Sequence, residues 1–131
     1  MASKITPEIV DTNILLRYLV GDEPKQHLQA VKWFKEAKRG KRKLRIPAIV
    51  IAETCFVLES FYKLKRESIA EALEILISQK WIKITERKVL LSLFEYYRQG
   101  LHFVDSYLLS WSKYNNEPIL TFDKQLLKKV N

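Results

Sequence analysis

The sequence predicts an α/β domain in which a short, roughly four-stranded parallel sheet is covered by helices. Three observations predict it. Short β-branched segments alternate with one or two helical segments along the chain, the pattern of parallel strands joined by helical crossovers. The 131 residues, 47% of them hydrophobic, suffice for one domain with a substantial buried core. No internal repeat, low-complexity tract or domain boundary breaks the pattern, so residues 1–131 read as a single domain.

Ile5 to Val10 reads as the first strand, stopped by Asp11-Thr12-Asn13, whose side chains suit caps and turns. A helix then takes its apolar residues from Ile14 to Val20. Gly21-Asp22-Glu23-Pro24 ends it and starts a second, with Asp22 or Glu23 as N-cap and Pro24 in the first turn. Leu28, Val31, Phe34 (or Trp33) and Ala37 give that helix one apolar stripe, and Gly40 closes it. Leu44-Arg45-Ile46 is a short strand, and Pro47 opens an apolar helix from about Ala48 to Phe61. Lys65 to Ser78 repeats the helical spacing through Ile69, Leu73, Leu76 and Ile77, and Trp81 to Ile84 alternates like a half-buried strand. Glu86 to Gln99 is a helix with Val89, Leu90, Leu93, Phe94 and Tyr97 inward and Gly100 in the C′ position. His102 to Tyr114 is helical, Pro118-Ile119-Leu120-Thr121 is the last strand, and Lys124 to Lys129 is a basic terminal helix. Cys55, Trp33, Trp81 and Trp111 are assigned to the core.

Composition narrows the chemistry. Three glycines and four prolines argue against a glycine-rich phosphate loop or a flexible linker. One cysteine excludes an intramolecular disulfide, and with only His27 and His102 a Cys/His zinc site is out of reach. The stretch from Met1 to Pro7 lacks the apolar core of a signal peptide, and no uncharged apolar run is long enough for a bilayer span. A soluble, cytoplasmic protein with no membrane partner is expected. Lys+Arg number 23 against 15 Asp+Glu, a net charge of +8 that favours a polyanionic partner, nucleic acid first.

Four acidic residues stand out from those on polar helix faces. Glu53 interrupts Ile49-Val50-Ile51-Ala52 before Cys55-Phe56-Val57-Leu58, and Asp105 sits between Phe103-Val104 and Tyr107-Leu108-Leu109. A carboxylate in such surroundings either faces a cavity with a counter-charge or suffers a desolvation cost. Asp11 and Asp123 each follow a predicted strand, which puts them outside the carboxyl ends of a parallel sheet, where ligands bind. All four can converge at that edge. Carboxylates gathered there are kept ionised most cheaply by a divalent cation with oxygen ligands, and Mg²⁺ or Mn²⁺ fits. The competing reading makes Asp11 and Asp123 helix caps and pairs Glu53 and Asp105 with buried Arg or Lys. Glu59, on a different helix face from Glu53, is left out of the set.

Asp11-Thr12-Asn13 after the first strand, Glu53 in an apolar helix, Phe103-Val104-Asp105-Ser106 opening a late helix and Leu120-Thr121-Phe122-Asp123 after the last strand together resemble the PIN domain. Within it the chain is similar to the bacterial and archaeal VapC-type toxin ribonucleases, including the style of Leu16 to Pro24. The resemblance runs from about Ile9 to Leu126. It implies a three-layer α/β/α fold, a Mg²⁺- or Mn²⁺-dependent endoribonuclease, a homodimer, and a VapB-type antitoxin whose C-terminal segment blocks the acidic site. Asp11, Glu53, Asp105 and Asp123 match the four acidic positions, Thr12 and Asn13 the polar positions beside the first, and Thr121 the polar residue two before the last. Ser106 stands where many relatives have Ala. A final edge strand present in many relatives is expected to be short or missing, because the sequence stops at Asn131.

The four acids are expected to ligate the ion directly or through waters, Asp11 centrally, with one of them accepting a proton from the attacking water. Arg39, Lys41, Arg42, Lys43 and Arg45 form the candidate RNA-contacting run, with further cations at Lys63, Lys65, Arg66, Lys124, Lys128 and Lys129. The alternative reading of the run is a solvated turn. A solitary PIN nuclease acting in RNA processing or on DNA, and a non-catalytic RNA-binding module, are the alternative functions.

Overall fold

The computed structural model describes residues 5–130, so Met1 to Lys4 of the N-terminal stretch and Asn131 lie outside it. A three-stranded parallel sheet in the order β1-β2-β3 forms the middle layer of an α/β/α arrangement. Its strands are β1 (Glu8–Ile9), β2 (Leu44–Arg45) and β3 (Ile82–Lys83), with Glu8 opposite Leu44 and Leu44 opposite Ile82. Backbone bonds extend the ladder by one residue, Val10 N–H to Arg45 O at 2.9 Å and Ile46 N–H to Lys83 O at 3.1 Å. The helices are α1 (Thr12–Leu19), α2 (Pro24–Lys38), α3 (Ala48–Ser60), α4 (Arg66–Ile77), α5 (Arg87–Arg98), α6 (Phe103–Asn115) and α7 (Lys124–Val130).

Local chemistry sets these boundaries. Glu23 caps α2 by accepting the Lys25 N–H at 3.1 Å, with Pro24 at the first helical position, where its missing donor costs nothing. Helix α5 ends at Gly100, whose φ of +105° is reached without penalty only by glycine. The helices then supply most of the core. Leu15, Phe34, Ile51, Ile69, Leu73, Ile77, Leu90 and Phe94 are fully enclosed around Ile46 and Ile82 of the sheet. Each such side chain contributes roughly 1.5–3 kcal/mol relative to exposure.

Three expectations change. Residues Pro118 to Thr121 pair with no strand, and Leu120 (103% exposed) and Phe122 (105%) stand in solvent. The chain is held there by the end of α6: Trp111 Nε1 donates to Glu117 Oε1 at 2.6 Å, and the Ser112 hydroxyl donates to the Glu117 carbonyl. β1 is therefore an open edge, and Ile9 on it is 72% exposed. Helix α2 turns Ala30, Phe34 and Ala37 inward and leaves Leu28 67% exposed, because its buried positions run i, i+4, i+7 from Ala30. The three tryptophans are half-buried rather than enclosed.

Two polar assemblies tie helices to the core. Arg87 donates to the carbonyls of Ile77, Gln79 (3.0 Å) and Ile82 (2.6 Å), closing the turn between α4 and β3. Replacing Arg87 with Met strands these part-buried acceptors and is expected to cost about 2–3 kcal/mol, read as a lower urea midpoint with an unchanged slope.

The second assembly surrounds Cys55. Burial pushes its thiol up to about 11 from 9.0, against the opposing hydrogen bond with Tyr97. The phenol of Tyr97, also raised chiefly by burial, donates to Glu59 Oε1 at 3.0 Å, and Arg66 pairs with Glu59 at 2.8 Å. The stabilisation from keeping the thiol neutral is complete below pH 9.0, where the unfolded thiol is also protonated, and is lost as pH rises through about 11. Urea unfolding of the wild type is expected to weaken across that window, and Cys55→Ala should show a shallower decline.

Candidate active site

Asp11 leaves the carboxyl end of β1 in extended conformation (φ −86°, ψ 169°) and Oδ1 accepts the Ile14 N–H at 3.0 Å, capping α1. The cap uses one carboxylate oxygen and aims the residue outward, where it is exposed. Thr12, the next residue, donates its hydroxyl to Glu53 Oε1, so the packing of α1 on α3 brings Glu53 to the side of Asp11. Asn13 stays exposed beside the cap.

Asp105 lies in the first turn of α6 and is half-buried. Asp123 caps α7, its Oδ1 accepting the N–H groups of Gln125 at 2.9 Å and Leu126 at 3.2 Å. Its own N–H donates to Thr121 Oγ1 at 3.0 Å, which fixes the turn into that helix. Asp105 and Asp123 line a common depression of about 380 Å³ with Gln99, Leu101 and Lys129. Lys129, read in the sequence only as one of several terminal cations, sits 3.4 Å from Gln99 on its rim. Only its helical position, on α7 beyond the Asp123 cap, hints at this in the sequence.

The acids are thus grouped two and two. Among the described residues no three His, Cys, Asp or Glu side chains are gathered closely enough to hold an ion, so the expected convergence of all four at one point is not present. The reason is the missing fourth strand: Asp123 comes after a segment held against α6 instead of one seated in the sheet. Asp11 and Asp123 do cap helices, yet neither Glu53 nor Asp105 has the buried cation that the competing reading requires. Every ion pair among the described residues joins an arginine to Glu8, Asp22, Glu36, Glu59, Glu67 or Glu74. Four accessible carboxylates in no ion pair, two of them sharing a depression with Lys129, are oxygen donors of the kind Mg²⁺ or Mn²⁺ takes, and the donor set fits such an ion in kind.

The candidate RNA-contacting run divides. Arg39, Lys41 and Lys43 are exposed at the amino end of β2, and Arg45 is half-buried within it. Arg42 is committed to structure: it pairs with Glu8 at 2.6 Å and Glu36 at 3.4 Å and lies over the Trp33 ring. Arg66 is likewise held by Glu59 and stacked on Tyr97. His102 precedes α6 and is exposed.

A parallel sheet inside helical layers, with carboxylates in no ion pair beyond a strand's carboxyl end and on the flanking helices, defines an α/β/α protein with two accessible pairs of acids. The chain belongs to the PIN domain family, which it matches over residues 9–131. It is 32% identical over 77 residues to the VapC ribonuclease of Aquifex aeolicus (strain VF5), an alignment covering 59% of this chain and 56% of that protein. The chain therefore spans a little over half the length of that relative. No solved structure matches it.

Capping and charge at Asp11 can be separated. Asn caps nearly as well as Asp, so Asp11→Asn is expected to unfold at the wild-type urea midpoint or above it, whereas Asp11→Ala should lose about 1 kcal/mol.

Proposed function

We propose that this chain is a metal-dependent endoribonuclease, a hydrolase of RNA phosphodiester bonds, and the toxin of a VapBC-type toxin–antitoxin pair. The observation that carries the reading is that Asp11, Glu53, Asp105 and Asp123 of this PIN-family chain enter no ion pair among the described residues. The likeness to a VapC ribonuclease supports RNA as substrate, a VapB-type antitoxin as partner and the cytoplasm as location. A homodimer belongs to the same reading. No helix among the described residues is long and apolar enough to cross a membrane.

Asp11 and Glu53 would supply carboxylate oxygens to a Mg²⁺ or Mn²⁺ ion, and Asp105 and Asp123 would join them only if the two pairs, separate in this structure, close on one another. The bound ion supplies charge neutralisation on the scissile phosphate and a more acidic water. Thr12 positions Glu53 through its hydroxyl, and Thr121 plays the corresponding part for Asp123 through that residue's backbone N–H. One of the carboxylates accepts the proton of the attacking water. Attack by water, with no part for the 2′-hydroxyl, leaves 5′-phosphate and 3′-hydroxyl ends.

Cleavage of single-stranded RNA, structured RNA and DNA is compared with and without Mg²⁺ or Mn²⁺. Metal-dependent cleavage of RNA with 5′-phosphate ends is expected, and Asp11→Asn or Asp105→Asn should lower it on the order of a hundredfold or more. Unchanged cleavage in the variants, 2′,3′-cyclic phosphate ends formed without metal, or RNA binding with no cleavage would each overturn the reading.

A further inference from the structure

A basic surface of this molecule runs along α2 toward the end of the sheet opposite Asp11. Helix α2 and the turn after it return the chain to the amino end of β2, where the Glu8 N–H meets the Lys43 carbonyl at 2.9 Å. Because β1 and β2 are parallel, Asp11 lies past the other end of the ladder, about 10 Å along the strand from Glu8. On α2, residues Leu28, Lys32, Lys35 and Arg39 succeed one another at helical spacing on the face turned away from buried Ala30, Phe34 and Ala37. With Lys41 they line a depression of about 380 Å³. All four cations are exposed, and none forms an ion pair among the described residues. The acid beside them, Glu36, faces Arg42 at 3.4 Å, so the stripe is left almost purely positive.

From this we infer a second RNA-contacting site, a phosphate-binding stripe formed by Lys32, Lys35, Arg39 and Lys41, that holds RNA away from the bond being cut. The placement has a physical logic. Lysines beside Asp11 and Glu53 would pair with them and compete with a cation, whereas on α2 they attract the polyanion and leave those two acids open. Exposed Leu28 gives the depression an apolar patch for a base or sugar face. The stripe serves RNA long enough to reach from one end of the sheet to the other, and very short RNA gains little from it. The inference rests on the ribonuclease reading only for the identity of the polyanion.

The test measures binding in chelator, where cleavage plays no part, so its failure is distinct from failure of the nuclease reading. Fluorescence polarisation with a 20-nucleotide single-stranded RNA is recorded across a salt series for the wild type and for Lys32→Glu/Lys35→Glu/Arg39→Glu. The variant should bind on the order of tenfold or more weaker, and the slope of log affinity against log salt should fall by about 2, three phosphate contacts on single-stranded RNA. The loss should be smaller for a 4-nucleotide RNA. Reversal of Lys88 and Lys113, exposed cations elsewhere, controls for charge reversal outside the stripe and should leave affinity within about twofold. Thermal unfolding checks that both variants fold. Absence of RNA binding by the wild type, equal weakening in the control, or patch-dependent binding of poly-glutamate with RNA binding unchanged would overturn the inference, the last assigning the stripe to an acidic protein segment.

Discussion

The parallel pairing of Glu8–Ile9 with Leu44–Arg45 is the constraint on which the charge layout of this molecule depends. Two strands running the same way must be joined by a crossover that returns the chain to its starting end. Here α1 and α2 make that return, so the residues just after β1 lie at one end of the sheet and those just before β2 lie at the other. Asp11 falls in the first position and Lys41 and Lys43 in the second. An antiparallel hairpin would have set the end of one strand beside the start of the next and brought these acids and bases together.

With two residues in each strand, the sheet fixes direction but cannot carry the stability alone. That falls to the helices, whose enclosed leucines, isoleucines and phenylalanines surround it. Arginine supplies the specific polar ties. Every ion pair among the described residues is made by Arg17, Arg42, Arg66 or Arg98, and Arg87 binds three carbonyls. A planar guanidinium can satisfy several acceptors at fixed angles, which a lysine ammonium on a flexible stem does less well. Structural positive charge is therefore placed on arginine, while the lysines remain on the surface and shape its field.

Helix α5 shows how much of the fold is legible in the sequence: Val89, Leu90, Leu93, Phe94 and Tyr97 are the predicted inward set and the buried one. Strong apolar residues at helical spacing leave one choice of face. On α2 Phe34 and Ala37 are predicted inward and are buried, but the small Ala30 carries little hydrophobic signal beside Leu28, so the spacing admits Leu28 to the stripe and misses Ala30. Pro118 to Thr121 has the composition of a strand, yet bonds donated by Trp111 and Ser112 to Glu117 hold it off the sheet, and local propensity cannot register them. The unusual positions of Glu53 and Asp105 in apolar surroundings are visible in the sequence. Their grouping is not, because it depends on which helices pack together. The same holds for Arg42 and Arg66, whose partners Glu8 and Tyr97 are distant in the chain.

The double use of Asp11 and Asp123 arises from the place where a carboxylate both caps a helix and meets a ligand. A cap satisfies an orphan N–H with one oxygen and holds the residue at the mouth of the helix. Capping therefore leaves the second oxygen as a restrained donor outside the fold, at no further cost in side-chain order. Glu53 reaches the same condition by another route: the Thr12 hydroxyl engages Oε1 and leaves Oε2 unengaged. In each case a structural hydrogen bond restrains half of the carboxylate, so that ordering the free half for a cation requires little additional loss of entropy. The roles of cap and ligand, alternatives in the sequence, are compatible in the structure because a carboxylate has two oxygens.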